Sequence, residues 1–214
     1  MLNMAEQIIL MSIQNENGKT YMRATYLKRY GLSAALLYEL IDRKKLELRG
    51  KKLFVKEESS TQDEILDLAL QAAKKTKSIN RWIYGNQLLK GRLRRAILKS
   101  LADRGIVKEE ETRFLGLIPM KRYPISNVFE KRSIEIDIRN VLINGYDNEY
   151  RSVFMTSILV VCRGATLILS KEERKKIASK LKFIGKGKYF NNTDELLANT
   201  IKAIRIAIAA ESSS

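Results

Sequence analysis

The sequence predicts a mainly α protein: one compact helical domain over residues 1–214, carrying small β-hairpins, one of them projecting and apolar. Three observations predict it. Most of the chain divides into capped, amphipathic segments of helical period. Short alternating stretches around glycine supply the hairpins. Two prolines and eleven glycines in 214 residues leave little material for a linker, so no boundary divides the chain.

The elements follow in order. Met4 to Ile13 places Met4, Ile8, Met11 and Ile13 around a short apolar helix, and NENG after it is a turn. Tyr21 to Tyr30 is mixed aromatic and basic and reads as helix. Leu32 to Lys44 is a helix with Ser33 as N-cap and Leu36, Leu37, Leu40 and Ile41 as its buried stripe. LELRGKKLFV alternates around Arg49-Gly50, a hairpin with glycine in the turn. DEILDLALQAAKK is a helix capped by Ser60 or Thr61, with acids in its first turn. Trp82, inside a basic segment, reads as a core anchor for the helical turn RWIYG or as a ring on which a ligand stacks.

Arg92 to Ile125 organises the rest. With Leu89 as zero on a helical wheel, Leu93, Ala96 and Ile97 fall within about 80° and form a core stripe. Arg92, Arg95 and Lys99 gather on the opposite side, with Lys90 and Arg94 on the flank. Gly105 stops the helix, since it accepts a positive φ. Apolar runs at Ile106-Val107 and Phe114-Leu115-Gly116-Leu117-Ile118 surround a polar KEEET turn and read as a hairpin. SNVFEKRSIEIDIRNVLING is a helix capped by Ser126 or Asn127 and stopped at Gly145. YDNEYRSVFMTSILVVCRG is apolar on most sides and central. SKEERKKIASKL has acids early and lysines late, as the macrodipole prefers. Thr193 or Asp194 caps the last helix, ELLANTIKAIRIAIAA. ELIDRKKLELRGKKLFV and SLADRGIVKEEETRFLGLI both read as helix, Asp-Arg, hairpin, which is either an internal echo or two uses of a common unit.

Charge points to the partner. The chain has 40 Lys and Arg against 24 Asp and Glu, a net +16, which attracts nucleic acid, anionic lipid or acidic proteins. Lys74 to Arg104 holds ten basic residues and a single acid, Asp103. There is no histidine, which removes histidine triads, histidine metal sites and the usual base near neutral pH. The lone cysteine, Cys162, lies in an apolar run and reads as a buried thiol. GKGK at Gly185 to Lys188 lacks the spacing of a phosphate loop, and the carboxylate pairs stand in polar turns or helix starts. Catalytic residues, metal ligands and cofactors are therefore not expected. No basic segment precedes the first apolar run, so no secretory signal is expected, and no stretch reaches the ~20 apolar residues of a membrane span. A cytoplasmic protein, peripherally associated with membrane, is the expectation.

The order GLSAALLYELIDRKKLEL, DEILDLAL, RWI, RLRRAILKSLADRGIV and RFLGLIPMKRYPI resembles the Golgi phosphoprotein 3 (GPP34-like) family, from about Ala5 to Ala210. The resemblance implies a mainly helical domain with a protruding hydrophobic hairpin. In eukaryotic members it implies a peripheral Golgi protein that binds phosphatidylinositol 4-phosphate and links glycosyltransferase tails to coat proteins. Of the family's headgroup clamp, Arg94 matches one arginine. Gly91 stands at the second, flanked by Lys90 and Arg92. Ser33 stands at a third arginine, and Ala24 near the tryptophan, with Tyr26 the closest aromatic. The long basic N-terminal tail of some members is not expected here.

The expected function is thus non-enzymatic binding of anionic membrane lipids. Lys90, Arg92, Arg94, Arg95 and Tyr26 are the candidate headgroup residues, and Phe114, Leu115, Leu117 and Ile118 the inserting hairpin. Two alternatives stand beside it: a winged-helix-like nucleic-acid-binding module, ranked lower because the hairpin tip is greasy, and a scaffold that binds protein clients or forms homo-oligomers through the hairpin.

Overall fold

Asn3 starts the first helix with a capping box: its side chain accepts from the Glu6 amide, and the Glu6 carboxylate accepts from the Asn3 amide at 2.8 Å. In this computed structural model the described residues are 2–85, 87–114, 117–144, 149–186 and 194–213, with side chains described at all of these except 87–90, 114 and 118. The expected stop at Gly145, the cap at Thr193, the side chains of Lys90, Phe114 and Ile118, and the whole of Leu115 lie outside that description.

Helix α1 (Met4–Ser12) and helix α2 (Leu32–Asp42) are buried along almost their whole length. The chain between them is not one regular helix. A 3-10 turn at Met22–Ala24 leads into a π-helical turn at Leu27–Gly31, which runs straight into α2. Ser33 therefore lies inside a helix and is not its cap; its hydroxyl donates back to the Arg29 carbonyl at 3.4 Å. The expected stripe of Leu36, Leu37 and Leu40 is buried. Hairpin β1 (Leu46–Arg49) and β2 (Lys52–Val55) turns at Gly50.

Helix α3 (Glu64–Ala73) is capped by Asp63 rather than Ser60 or Thr61, because those hydroxyls are engaged with the Asp67 carboxylate. Short α4 (Ile79–Tyr84) buries Trp82, whose Nε1 donates to the Ser33 carbonyl at 2.7 Å. Helix α5 (Gln87–Asp103) follows and buries Leu93, Ile97, Leu98 and Leu101, with Ala96 only half-buried. The stripe is thus centred further from Ala96 than the wheel predicted. Gly105 ends the helix at φ +68°, as its place requires.

The second hairpin pairs β3 (Glu110–Phe114) with β4 (Ile118–Arg122), Thr112 opposite Met120. Glu110, Glu111 and Thr112 of KEEET are consequently strand rather than turn. Ile106 and Val107 are instead buried beneath the hairpin, with Val107 bridged to Ile125.

Asn127 caps α6 (Val128–Arg139), which ends in a π-helical turn at Asn140–Asn144. Helix α7 (Tyr150–Val161) is central, with Val153 to Leu159 buried. Its Tyr38–Phe154 ring contact, 4.8 Å between centroids, joins it to α2. The segment SKEERKKIASKL breaks at Ile177 into α8 (Lys171–Lys176), with a capping box from Ser170, and α9 (Ala178–Gly185). Asp194 caps α10 (Glu195–Ser212). One apolar cluster draws on all the long helices. Cys162 is buried within it, and burial pushes its thiol pKa up, away from reactivity.

Candidate functional site: a basic cleft at the root of the hairpin

The site begins with a face of the irregular segment before α2. Thr25, Lys28, Arg29 and Leu32 follow i, i+3, i+4, i+7 spacing and share one side of the chain as it passes through the π turn. A π turn inside a helical run is often found at functional sites. Across from it stand Gly91 and Arg94 of α5, with Ile9 of α1 as floor, and the cleft between them holds about 250 Å³. Gly91 leaves the mouth open: nothing lies within 4 Å of where its Cβ would be.

The electrostatics of the cleft are one-sided. Lys28 is half-buried, and its pKa is lowered first by burial and then by Arg94 across the gap. Among the described residues neither Lys28 nor Arg94 forms an ion pair. Among the described residues Arg94 donates to the Thr20 hydroxyl, at 3.2 Å. Arg29 differs, since it pairs with Glu211 of α10, which also accepts from the Tyr30 hydroxyl. Two cations are thus held close with no carboxylate between them, an arrangement that an anion would relieve.

The hairpin roots beside this cleft. Thr20, the partner of Arg94, bridges Ile13 across the NENG turn. That turn is pressed against the hairpin base: Ile125 donates to the Asn15 carbonyl at 2.9 Å. Gly18 has φ +62°, and a Cβ there would come within 2.2 Å of the Tyr123 carbonyl carbon, so only glycine fits. Lys131 of α6, buried, fixes the turn from below by donating to the Ile13 carbonyl at 2.7 Å and to Asn15 Oδ1 at 2.8 Å. Arg94 is near enough to Tyr123 to oppose the rise in its phenol pKa that burial and Glu109 cause. From this root the strands extend into solvent. Leu117 at the tip is 84% exposed and Met120 45% exposed.

The family model for Golgi phosphoprotein 3 (GPP34) matches residues 4–204. The chain belongs to that family. The irregular segment, the α5 helix and the hairpin all lie inside the match.

Within this Golgi phosphoprotein 3 member the expected headgroup residues are partly dispersed. Arg94 lines the cleft. Arg92 and Arg95 are exposed on the outer face of α5 and do not line it. Tyr26 is half-buried, lies stacked 6.2 Å from Tyr30, and carries the Arg163 guanidinium 5.2 Å from its ring centre, so it stands beside a different part of the surface. Ala24 and Ser33, at the expected tryptophan and arginine places, are both buried and line no part of the cleft. Sequence reasoning missed Lys28, Arg29 and Thr25. Their i, i+3, i+4 spacing ahead of Leu32 was the available signal.

A second, more polar cleft of about 570 Å³ opens among α1, α2, α3 and α5. Its two buried acids are fully engaged. Glu39 accepts from the Met4 amide at 2.7 Å and pairs with Arg151 at 2.7 Å. Glu6 accepts from the Ser100 hydroxyl at 2.7 Å and pairs with Arg104 at 3.3 Å. Both hold helices together. Among the described residues no helix is long and apolar enough to cross a membrane, and no cluster of metal-ligating side chains occurs.

Proposed function

We propose that this protein is a non-enzymatic, peripheral binder of anionic membrane lipids, cytoplasmic in location. The observation that carries the reading is the Lys28–Arg94 pair, two cations brought together without a carboxylate at the root of an apolar hairpin. A headgroup phosphate in the cleft would stabilise both charges. Well-placed cations near an anionic surface contribute about 1 kcal/mol each. The hairpin adds apolar burial through Leu117 and Met120, with Phe114, Leu115 and Ile118 beside them in sequence. Met22, 92% exposed one residue beyond Tyr21 and three before Thr25, offers a further apolar contact on the cleft's own segment. A basic site and a modest apolar wedge together give reversible anchoring. Family membership supports the same reading.

Specificity for phosphatidylinositol 4-phosphate is a separate matter. Ala24 and Ser33 face inward and Gly91 contributes no side chain, so the cleft offers Lys28 and Arg94 to whatever anion enters. We expect recognition of negative charge with little discrimination among headgroups. Co-sedimentation with vesicles of phosphatidylcholine alone, with added phosphatidylserine, and with added phosphatidylinositol 4-phosphate tests this. Binding to both anionic preparations within about tenfold of each other, a difference under ~1.4 kcal/mol, is the expected result. Binding to duplex DNA with none to any vesicle would replace this reading by the nucleic-acid one.

A further inference from the structure

A second site lies outside the cleft, where the ends of three helices meet. The last turn of α7, the end of α9 and the C-terminal turns of α10 enclose a groove of about 750 Å³. Its floor is apolar: Val160, Val161, Leu181 and Ile208. Its rim carries Arg163, Lys182 and Arg205, all exposed. Among the described residues that line it there is no carboxylate, and none of the three rim cations forms an ion pair. Arg163 is further distinguished by its backbone, left-handed at φ +62° and ψ 18°. A non-glycine residue there is uncommon, and its guanidinium lies 5.2 Å from the Tyr26 ring centre.

An apolar floor under unpaired cations defines the ligand's chemistry. The floor gains from burying hydrocarbon, and the rim gains from a negative group at one end. The volume falls within the range of small-molecule pockets. The groove is short, built from helix ends, and so fits a compact ligand better than a long peptide helix. We propose that it is a binding site for a single-chain anionic amphiphile, an alkyl chain ended by a carboxylate or phosphate, such as a free fatty acid or a lysophospholipid. This site is independent of the Lys28–Arg94 cleft and does not require the function proposed above.

Calorimetric titration with decyl phosphate below its micelle threshold, in a full-length Lys28→Met, Arg94→Met background that removes anion binding at the cleft, tests the proposal. Saturable binding at one equivalent is expected, with inorganic phosphate giving no heat and decyl maltoside binding at least tenfold more weakly. Lys182→Ala with Arg205→Ala should weaken decyl phosphate at least tenfold. Ala209→Trp should block the groove without lowering Tm, since Ala209 is exposed on its lip; if that variant is unstable, the lysine and arginine variant carries the test alone. Absence of saturable binding would overturn the site. So would equal affinity for decyl maltoside, or binding undiminished in both groove variants. An acidic amphipathic peptide that binds the groove where decyl phosphate does not would assign it to a protein partner instead.

Discussion

Lys28 carries the strain of the proposed site. Its pKa lies below the ordinary 10.5 because burial and Arg94 both disfavour its charge. The folded chain therefore holds fewer protons than the unfolded one between that lowered value and 10.5. Stability contributed by this group rises with pH through that window, and the penalty is complete below it. Lys28→Met removes a charge that folding disfavours. We expect the variant to be at least as stable as wild type near neutral pH, to lose this part of the alkaline rise, and to bind anionic vesicles less well. Chemical denaturation at two pH values with parallel vesicle binding checks all three. A destabilised variant would show that Lys28 supports the fold rather than the site.

At the scale of elements, Glu39 ties α1, α2 and α7 through the Met4 amide and Arg151. Removing one partner of a buried ion pair costs about 3–5 kcal/mol, so Glu39→Gln should lower Tm by roughly 6 °C or more for a chain of this length. The projecting hairpin should behave oppositely. Leu117→Ser with Met120→Ser should change stability by no more than about 0.5 kcal/mol, as exposed substitutions do. It should also weaken vesicle binding at every salt concentration, because apolar burial is not screened. A large fall in Tm would instead place the tip in a subunit contact.

These elements also show what the sequence reveals and what it hides. Strong periodicity made α2, α5 and α7 legible, and Gly50 and Gly105 marked their turns because only a positive φ suits those places. The cap of α3 was misplaced because Ser60 and Thr61 were drawn to Asp67 instead of the helix end. The turn of the hairpin was misplaced at KEEET because Glu110, Glu111 and Thr112 are polar yet paired, which an exposed two-stranded hairpin permits. The cleft was half legible. Arg94 could be named from the resemblance, but Lys28 depended on the π turn that carries its face toward α5, and a change of helical period leaves no mark in apolar spacing.

For the whole molecule, the net +16 explains attraction to anions but not where they bind. A surface effect would be shared by Arg92, Arg95 and the many exposed lysines, and screened within about 8 Å at physiological salt. A site effect would be concentrated at the cleft. Two double variants of identical charge change separate the two: Lys28→Met with Arg94→Met, and Arg92→Met with Arg95→Met, each titrated with phosphatidylserine-containing vesicles. The cleft variant is predicted to lose at least tenfold in affinity, about 1.4 kcal/mol, and the outer-face variant clearly less. Equal losses from the two would contradict the account and leave only a diffuse basic surface.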